Sequence, residues 1–176
     1  MGIDVLPPGL NESFSQFSVI PPSPYKIRFG LTTIKNFGQD VSSAITAERK
    51  TNGKFKDLPD FLSRIKSKNL NKKSLEALIK CGALDDLDVG GGVKGERGQL
   101  LANLDRLLEY HKERINTPAN QDTLFGLMSD TASIPTLRLE LAPPATQKEK
   151  LAWEKELLGL YISSHPLEPY REKIFA

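Results

Sequence analysis

The sequence predicts a mainly α-helical fold, with an extended N-terminal arm or short β-ribbon in front of it. Three observations lead there. Apolar residues recur at helical spacing as Val41, Ala44 and Ile45, and again as Leu75, Leu78 and Ile79. Each run follows a shorter apolar stretch and a tight turn, so the pattern is a short helix, a turn and a longer helix, stated twice. Pro7, Pro8, Pro21, Pro22 and Pro24 crowd the first 24 residues, which excludes a helix there.

Composition bounds what such a chain can do. Its 176 residues are 39% hydrophobic and 26% charged, enough for a packed core and unlike a disordered chain. The net charge is only +2, so any nucleic-acid contact must be a local patch. Cys81 is the one cysteine, which leaves no disulfide framework and no cysteine-based zinc site. A cytosolic compartment is the default, with no signal pattern and no apolar run of membrane-spanning length. The last residues stop in mid-pattern, and a piece of a longer protein is expected.

Five segments are expected. Residues 1–24 form the extended lead-in. Phe14, Phe17, Val19 and Ile20 are apolar enough to lie on a core, and residues 17–20 can pair with residues 26–29 as a two-stranded ribbon. An arm without regular structure fits equally well. Residues 25–88 hold the two helix–turn–helix units. In the first, Leu31 and Ile34 mark a short helix, residues 35–38 a turn, and Val41 to Ile45 a longer helix. Gly38 suits a turn that needs positive φ or close backbone approach, Asn36 is the next-best residue for a left-handed position, and Phe37 should point inward. In the second, Asp57 is an N-cap with Pro59 in the first turn, Asn71 caps the longer helix, and Gly82 ends it. Packed face to face, the two units make one small helical core: a tandem helix-hairpin-helix domain with a helical extension.

Residues 89–115 are a loop and a supporting helix, and residues 85–98 read as a solvated surface loop. That loop carries glycines and Lys94 but no phosphate-loop signature, and Asp85, Asp86 and Asp88 without calcium-loop spacing. A leucine stripe, Leu100, Leu101, Leu104, Leu107 and Leu108, predicts one helix over 96–115, with His111 facing solvent or complementing its C-terminal dipole. Residues 116–146 are proline-containing linker. Residues 147–176 hold a terminal helix, with Trp153, Leu157, Leu160 and Tyr161 in a core-facing stripe that His165-Pro166 stops.

No catalytic constellation assembles. The two histidines stand far apart without metal-ligand spacing, and Cys81 sits in an apolar helix end, where inert burial is expected. No metal and no cofactor is expected. Two binding features remain. The first turn can present backbone N–H groups at a helix N-terminus to a phosphate, with Lys35 beside it, Thr32 and Thr33 as hydroxyl donors, and Lys68, Lys72 and Lys73 at the second turn. Plain connection within a helical core explains the same residues equally well. In the linker, Gln121-Asp122-Thr123-Leu124-Phe125 is a docking peptide in outline: two apolar side chains for a pocket and an amide to orient them. A satellite of the core is the other reading.

Taken together, these stretches resemble the alpha (catalytic) subunits of bacterial DNA polymerase III, the C-family replicative polymerases. MGIDVLPPGLNES, IRFGLTTIKNFG followed by AI, LNKKSLEALIKCGALD, QDTLF and ELLGLYISSHPL occur in the family's order and cover nearly the whole chain. The resemblance implies that Thr33, Lys35, Asn36, Phe37, Gly38, Lys72 and Lys73 contact primer–template duplex DNA without reading its sequence. It implies that Gln121, Leu124 and Phe125 bind the peptide pocket of the beta sliding clamp, and that other replicase subunits are met through the parent protein. The parent is then a DNA-directed DNA polymerase of the bacterial cytoplasm. This piece lacks its metal-binding aspartates and is itself no enzyme. Asn36 stands at the family's first hairpin glycine, Ser42 at a usually apolar position, and Asp40 adds negative charge, all of which imply a weaker clip. The rival function is a protein-interaction scaffold whose degenerate hairpins leave DNA alone.

Overall fold

The computed structural model describes residues 3–22, 25–66, 68, 70–90, 92–116 and 137–168. Its described residues form a small three-stranded sheet and six α-helices. The expected clamp-binding residues Gln121, Leu124 and Phe125 lie outside the described residues.

The ribbon forms and gains a strand. β2 (Ser18–Ile20) runs antiparallel to β3 (Lys26–Arg28), with Val19 opposite Ile27, and β1 (Val5–Leu6) pairs in parallel on the other side of β3. The apolar arm residues do not enter the core as expected: Phe14, Phe17 and Val19 are exposed, and Phe17 only stacks edge-on against buried Phe29. What docks the arm is polar. Ser13, fully buried, donates to the Phe29 carbonyl. Arg49 donates to the carbonyls of Leu10 and Ser13, and Asn11 exchanges two bonds with the Phe55 backbone. Leu10, with buried Pro8 near it in the chain, supplies the arm's apolar anchor.

A single 3₁₀ turn at Leu31–Thr33 replaces the first short helix, and α1 (Gln39–Asn52) follows the turn. α2 (Leu58–Arg64) begins at Asp57, whose carboxylate accepts from Asp60 N–H at 2.7 Å, with proline in the first turn as expected. α3 (Lys72–Lys80) begins with a capping box: Asn71 accepts from Ser74 N–H while the Ser74 hydroxyl accepts from Asn71 N–H. Gly82, at φ 81°, ends that unit, and a Cβ there would overlap the Arg97 guanidinium. Leu31, Ile34, Phe37, Val41 and Ile45 share one buried cluster with Phe61, Leu62, Leu75, Leu78 and Ile79, so the two units pack as one core.

The predicted single helix is two, α4 (Arg97–Ala102) and α5 (Leu104–Asn116). Asn103 breaks it. Its side-chain amide donates to the carbonyls of Gln99 and Glu140 and accepts from Glu140 N–H, holding the extended segment 137–146 against the break. His111 is buried, not solvent-facing, and its Nδ1 lies 2.8 Å from the Leu62 carbonyl. The 85–98 stretch is also more ordered than expected: Leu58 N–H donates to Asp88, Val89 N–H to Val93, and Leu87 is buried. α6 (Gln147–Leu158) stops at left-handed Gly159, short of His165-Pro166, which leaves Leu160 and Tyr161 exposed outside it. Leu151, Leu157 and Leu158 bury its inner face.

Candidate nucleic-acid interface

The turn at 35–38 reverses direction on one unusual residue. Asn36 has φ 66°, a left-handed conformation that asparagine tolerates better than other residues with a Cβ. Gly38 was expected to serve either positive φ or close backbone approach, and its φ is not positive. Its φ of −78° and ψ of 152° are open to any residue, and a Cβ there would meet nothing within 4 Å. Gly38 is the N-cap of α1 and, with no side chain, makes no side-chain cap hydrogen bond to its first turn. Asp40 lies in that first turn, where the helix dipole favours it.

Phe37 is buried beneath the turn, while Lys35, Asn36 and Gly38 are exposed. Thr33 is partly buried, and its hydroxyl already donates to the Gly30 carbonyl at 2.7 Å. Thr32 donates likewise to Ser15. Both hydroxyl protons are therefore turned inward. Lys35 offers an exposed ammonium without an ion-pair partner among the described residues, but its backbone N–H is taken, donating to the Leu157 carbonyl at 3.0 Å.

The two lysines of α3 diverge. Lys73 borders a groove of about 230 Å³ together with Asn36, Glu76, Lys80 and Glu156, so it stands beside the first turn. Lys72 opens onto a different cavity with Lys68, His111 and Lys112, and it pairs with Asp105 at 2.7 Å. Successive helical residues point about 100° apart, which accounts for the split. The described residues thus bring Asn36 of the turn and Lys73 to one groove and place Lys72 at another.

Sequence reasoning missed a buried ionic cluster behind this face. Arg97, 5% exposed, donates to Asp85 at 2.7 Å, to the Lys80 carbonyl and to Glu154 at 3.4 Å. Glu154, 1% exposed, also accepts from Ile162 and Ser163 N–H at 3.0 Å. Burial alone raises the Glu154 carboxyl, but those N–H groups and Arg97 hold it below the usual carboxylate range. The sequence carries no signal for this cluster, because its members come from separate elements. Asn103 did carry one, a poor helix former inside a leucine stripe. Cys81 is fully buried as expected, which pushes its thiol up to about 12. Among the described residues, no group of histidine, cysteine and carboxylate side chains is placed to hold a metal. No helix among them is long and apolar enough to cross a membrane.

Two helix–turn–helix units on one shared core agree with the family comparison. The model of the helix-hairpin-helix motif aligns with residues 2–92. The chain belongs to the helix-hairpin-helix family. This helix-hairpin-helix chain is similar over nearly its whole length to curated proteins named DNA polymerase III subunit alpha. That of Neisseria meningitidis serogroup B is 39% identical over 173 residues, 98% of this chain and 14% of the relative. That of Deinococcus radiodurans is 42% identical over 174 residues, 97% of this chain and 12% of the relative. That of Borreliella burgdorferi is 39% identical over 176 residues, 99% of this chain and 15% of the relative. The chain therefore spans between 12% and 15% of the length of these relatives.

Proposed function

We propose that this chain is a non-catalytic DNA-holding and tethering segment of a bacterial replicative DNA polymerase III alpha subunit. The turn at 35–38 clips the backbone of primer–template duplex DNA, with Lys35 and Lys73 supplying charge. One observation carries the reading: Gly38 is exposed in a conformation any residue adopts, with open space where a side chain would go. The fold gives no reason for glycine there, whereas close approach of a phosphate to the α1 N-terminus does. Phosphates carry no base identity, so binding is independent of sequence. Thr33 acts by shaping the turn, since its proton is already donated to Gly30. Lys72 adds charge from a neighbouring face.

Gln121, Leu124 and Phe125 dock in the peptide pocket of the sliding clamp, a reading supported by the motif alone. Two modest contacts on one chain raise the local concentration of polymerase on DNA without either being tight. Nucleotidyl transfer, its metal ions and contacts to other replicase subunits belong to the parent protein, in a replisome on the bacterial nucleoid. No cofactor is needed for tethering.

Titration of the chain with primed duplex at two salt concentrations, with and without purified clamp, tests this. Duplex affinity should fall with salt, and Lys35→Glu with Gly38→Val should abolish most of it. Unchanged affinity in that double variant leaves the scaffold reading in its place. Leu124→Ala with Phe125→Ala should remove the gain from clamp while leaving duplex binding intact.

A further inference from the structure

One support of the turn comes from a distant element. Its backbone is tied to α1 by the Gly38 carbonyl, which accepts from Ser42 N–H, and to α6 by Lys35 N–H, which donates to the carbonyl of Leu157. That carbonyl belongs to the last turn of α6, where the helix itself offers no partner. Buried Phe37 anchors the turn from below, but a 3₁₀ turn precedes it, a left-handed asparagine forms its tip and its N-cap has no side chain. Its geometry therefore depends in part on where α6 ends.

α6 is held by its buried leucines and by a set of charged contacts. Glu154 is held by Arg97 from one side and by Ile162 and Ser163 N–H from the other. Arg97 in turn ties Asp85 and the end of α3 through the Lys80 carbonyl. At the start of α6, Glu96 accepts from Ala145 N–H at 3.0 Å and pairs with Lys150 at 2.9 Å. Gly98 lets that segment approach, since a Cβ there would lie 2.5 Å from the Pro143 carbonyl. None of these side chains bonds to the turn.

We propose that Glu154 and Arg97 are positioning residues for DNA binding, acting through α6 and the Leu157 carbonyl on the conformation of the Lys35 turn. The inference rests on the DNA-binding reading above. A buried carboxylate far from the phosphate site then governs the geometry of the clip, and loosening it lowers affinity without removing a phosphate contact.

Two readouts on the full 176-residue chain test it: amide hydrogen exchange at Lys35, and duplex affinity as a function of salt. Glu154→Ala should speed Lys35 exchange about tenfold while Leu78 in α3 stays protected. Affinity should fall about fivefold. The slope of log affinity against log salt should not change, because no cation is lost. Glu154→Gln keeps an oxygen for Ile162 and Ser163 N–H but turns an NH2 group toward Arg97, so it should recover only part of both effects. If Glu154→Ala proves unfolded, Lys150→Ala, which removes only the Glu96 pair, should move both readouts the same way by less. Unmoved Lys35 exchange in a folded variant, or fast exchange with unchanged affinity, overturns the inference alone. A parent chain that binds no duplex overturns the DNA-binding reading and this inference with it.

Discussion

The two hairpin units share a core and differ in how they are finished. The second is closed off: Asp57 and Asn71 cap its helices through side chains, and Leu58, Phe61, Leu62, Leu75, Leu78 and Ile79 are fully or almost fully buried. The first is left open: its lead helix shrinks to a 3₁₀ turn, Gly38 caps α1 with no side chain, and its tip is exposed. Side-chain caps satisfy helix N–H groups internally, whereas a glycine cap leaves them to solvent or a ligand. Under the proposed function, this difference in capping places the contact in the first unit and leaves the second to support it.

The sharpest way to break that assignment is to empty the second unit's core. Phe61 is fully buried and stacks edge-on against Phe55 at 5.3 Å. Phe61→Ala should cost about 3–5 kcal/mol in urea unfolding. A cost below about 1 kcal/mol would mean that the second unit does not carry the fold.

A second effect follows from acid. Glu154 and Glu96 are partly or wholly buried with folded pKa values below the ordinary 4.5. A depressed carboxyl stabilises the fold above its unfolded pKa and loses that contribution as pH falls through the folded one. Thermal stability should therefore drop below about pH 4.5, with α6 loosening from the first turn while α3 holds. Glu154→Gln should flatten part of that slope. A slope identical to the parent's would show that the carboxyl does not secure α6.

How much of this was readable in the sequence divides along the same line. The second unit was legible in detail, because Asp57, Pro59, Asn71 and Gly82 act on neighbours within a few residues. β2 and β3 were legible for the same local reason. The first unit was legible in outline only. Gly38 and Asn36 were both named as turn residues, but which one took positive φ depends on how Phe37 packs. The helix break at Asn103, the burial of His111 and the Arg97–Glu154 pair escaped because each depends on a partner distant in the chain, Glu140, Leu62 and the second member of the pair. Leu160 and Tyr161 misled because helical spacing continues in the sequence beyond Gly159, where the backbone has already turned left-handed.

Swapping the caps sharpens the comparison at smaller energies. Asn71→Ala removes a side-chain cap and should cost about 1 kcal/mol with little change in duplex affinity. Gly38→Asn adds a favoured N-cap where space is open, so stability should be unchanged or rise by a few tenths of a kcal/mol. Its duplex affinity should nevertheless fall. Unchanged affinity in Gly38→Asn would remove the reason for placing contact in the first unit.

The smallest effects separate Lys73 from Lys72. Both are exposed residues of α3, adjacent in sequence and equal in charge, so composition cannot distinguish them. Lys73 borders the first turn's groove without an ion-pair partner among the described residues, whereas Lys72 faces another cavity and pairs with Asp105. An exposed pair of that kind contributes about 1 kcal/mol or less, so neither lysine should matter much to folding. A cation that neutralises a phosphate, however, releases counterions. Lys73→Ala should therefore lower the salt slope of duplex binding by about 0.9, and Lys72→Ala by much less. Equal slopes in the two variants would mean that DNA lies across both units alike, and that the open first hairpin is not the principal point of contact.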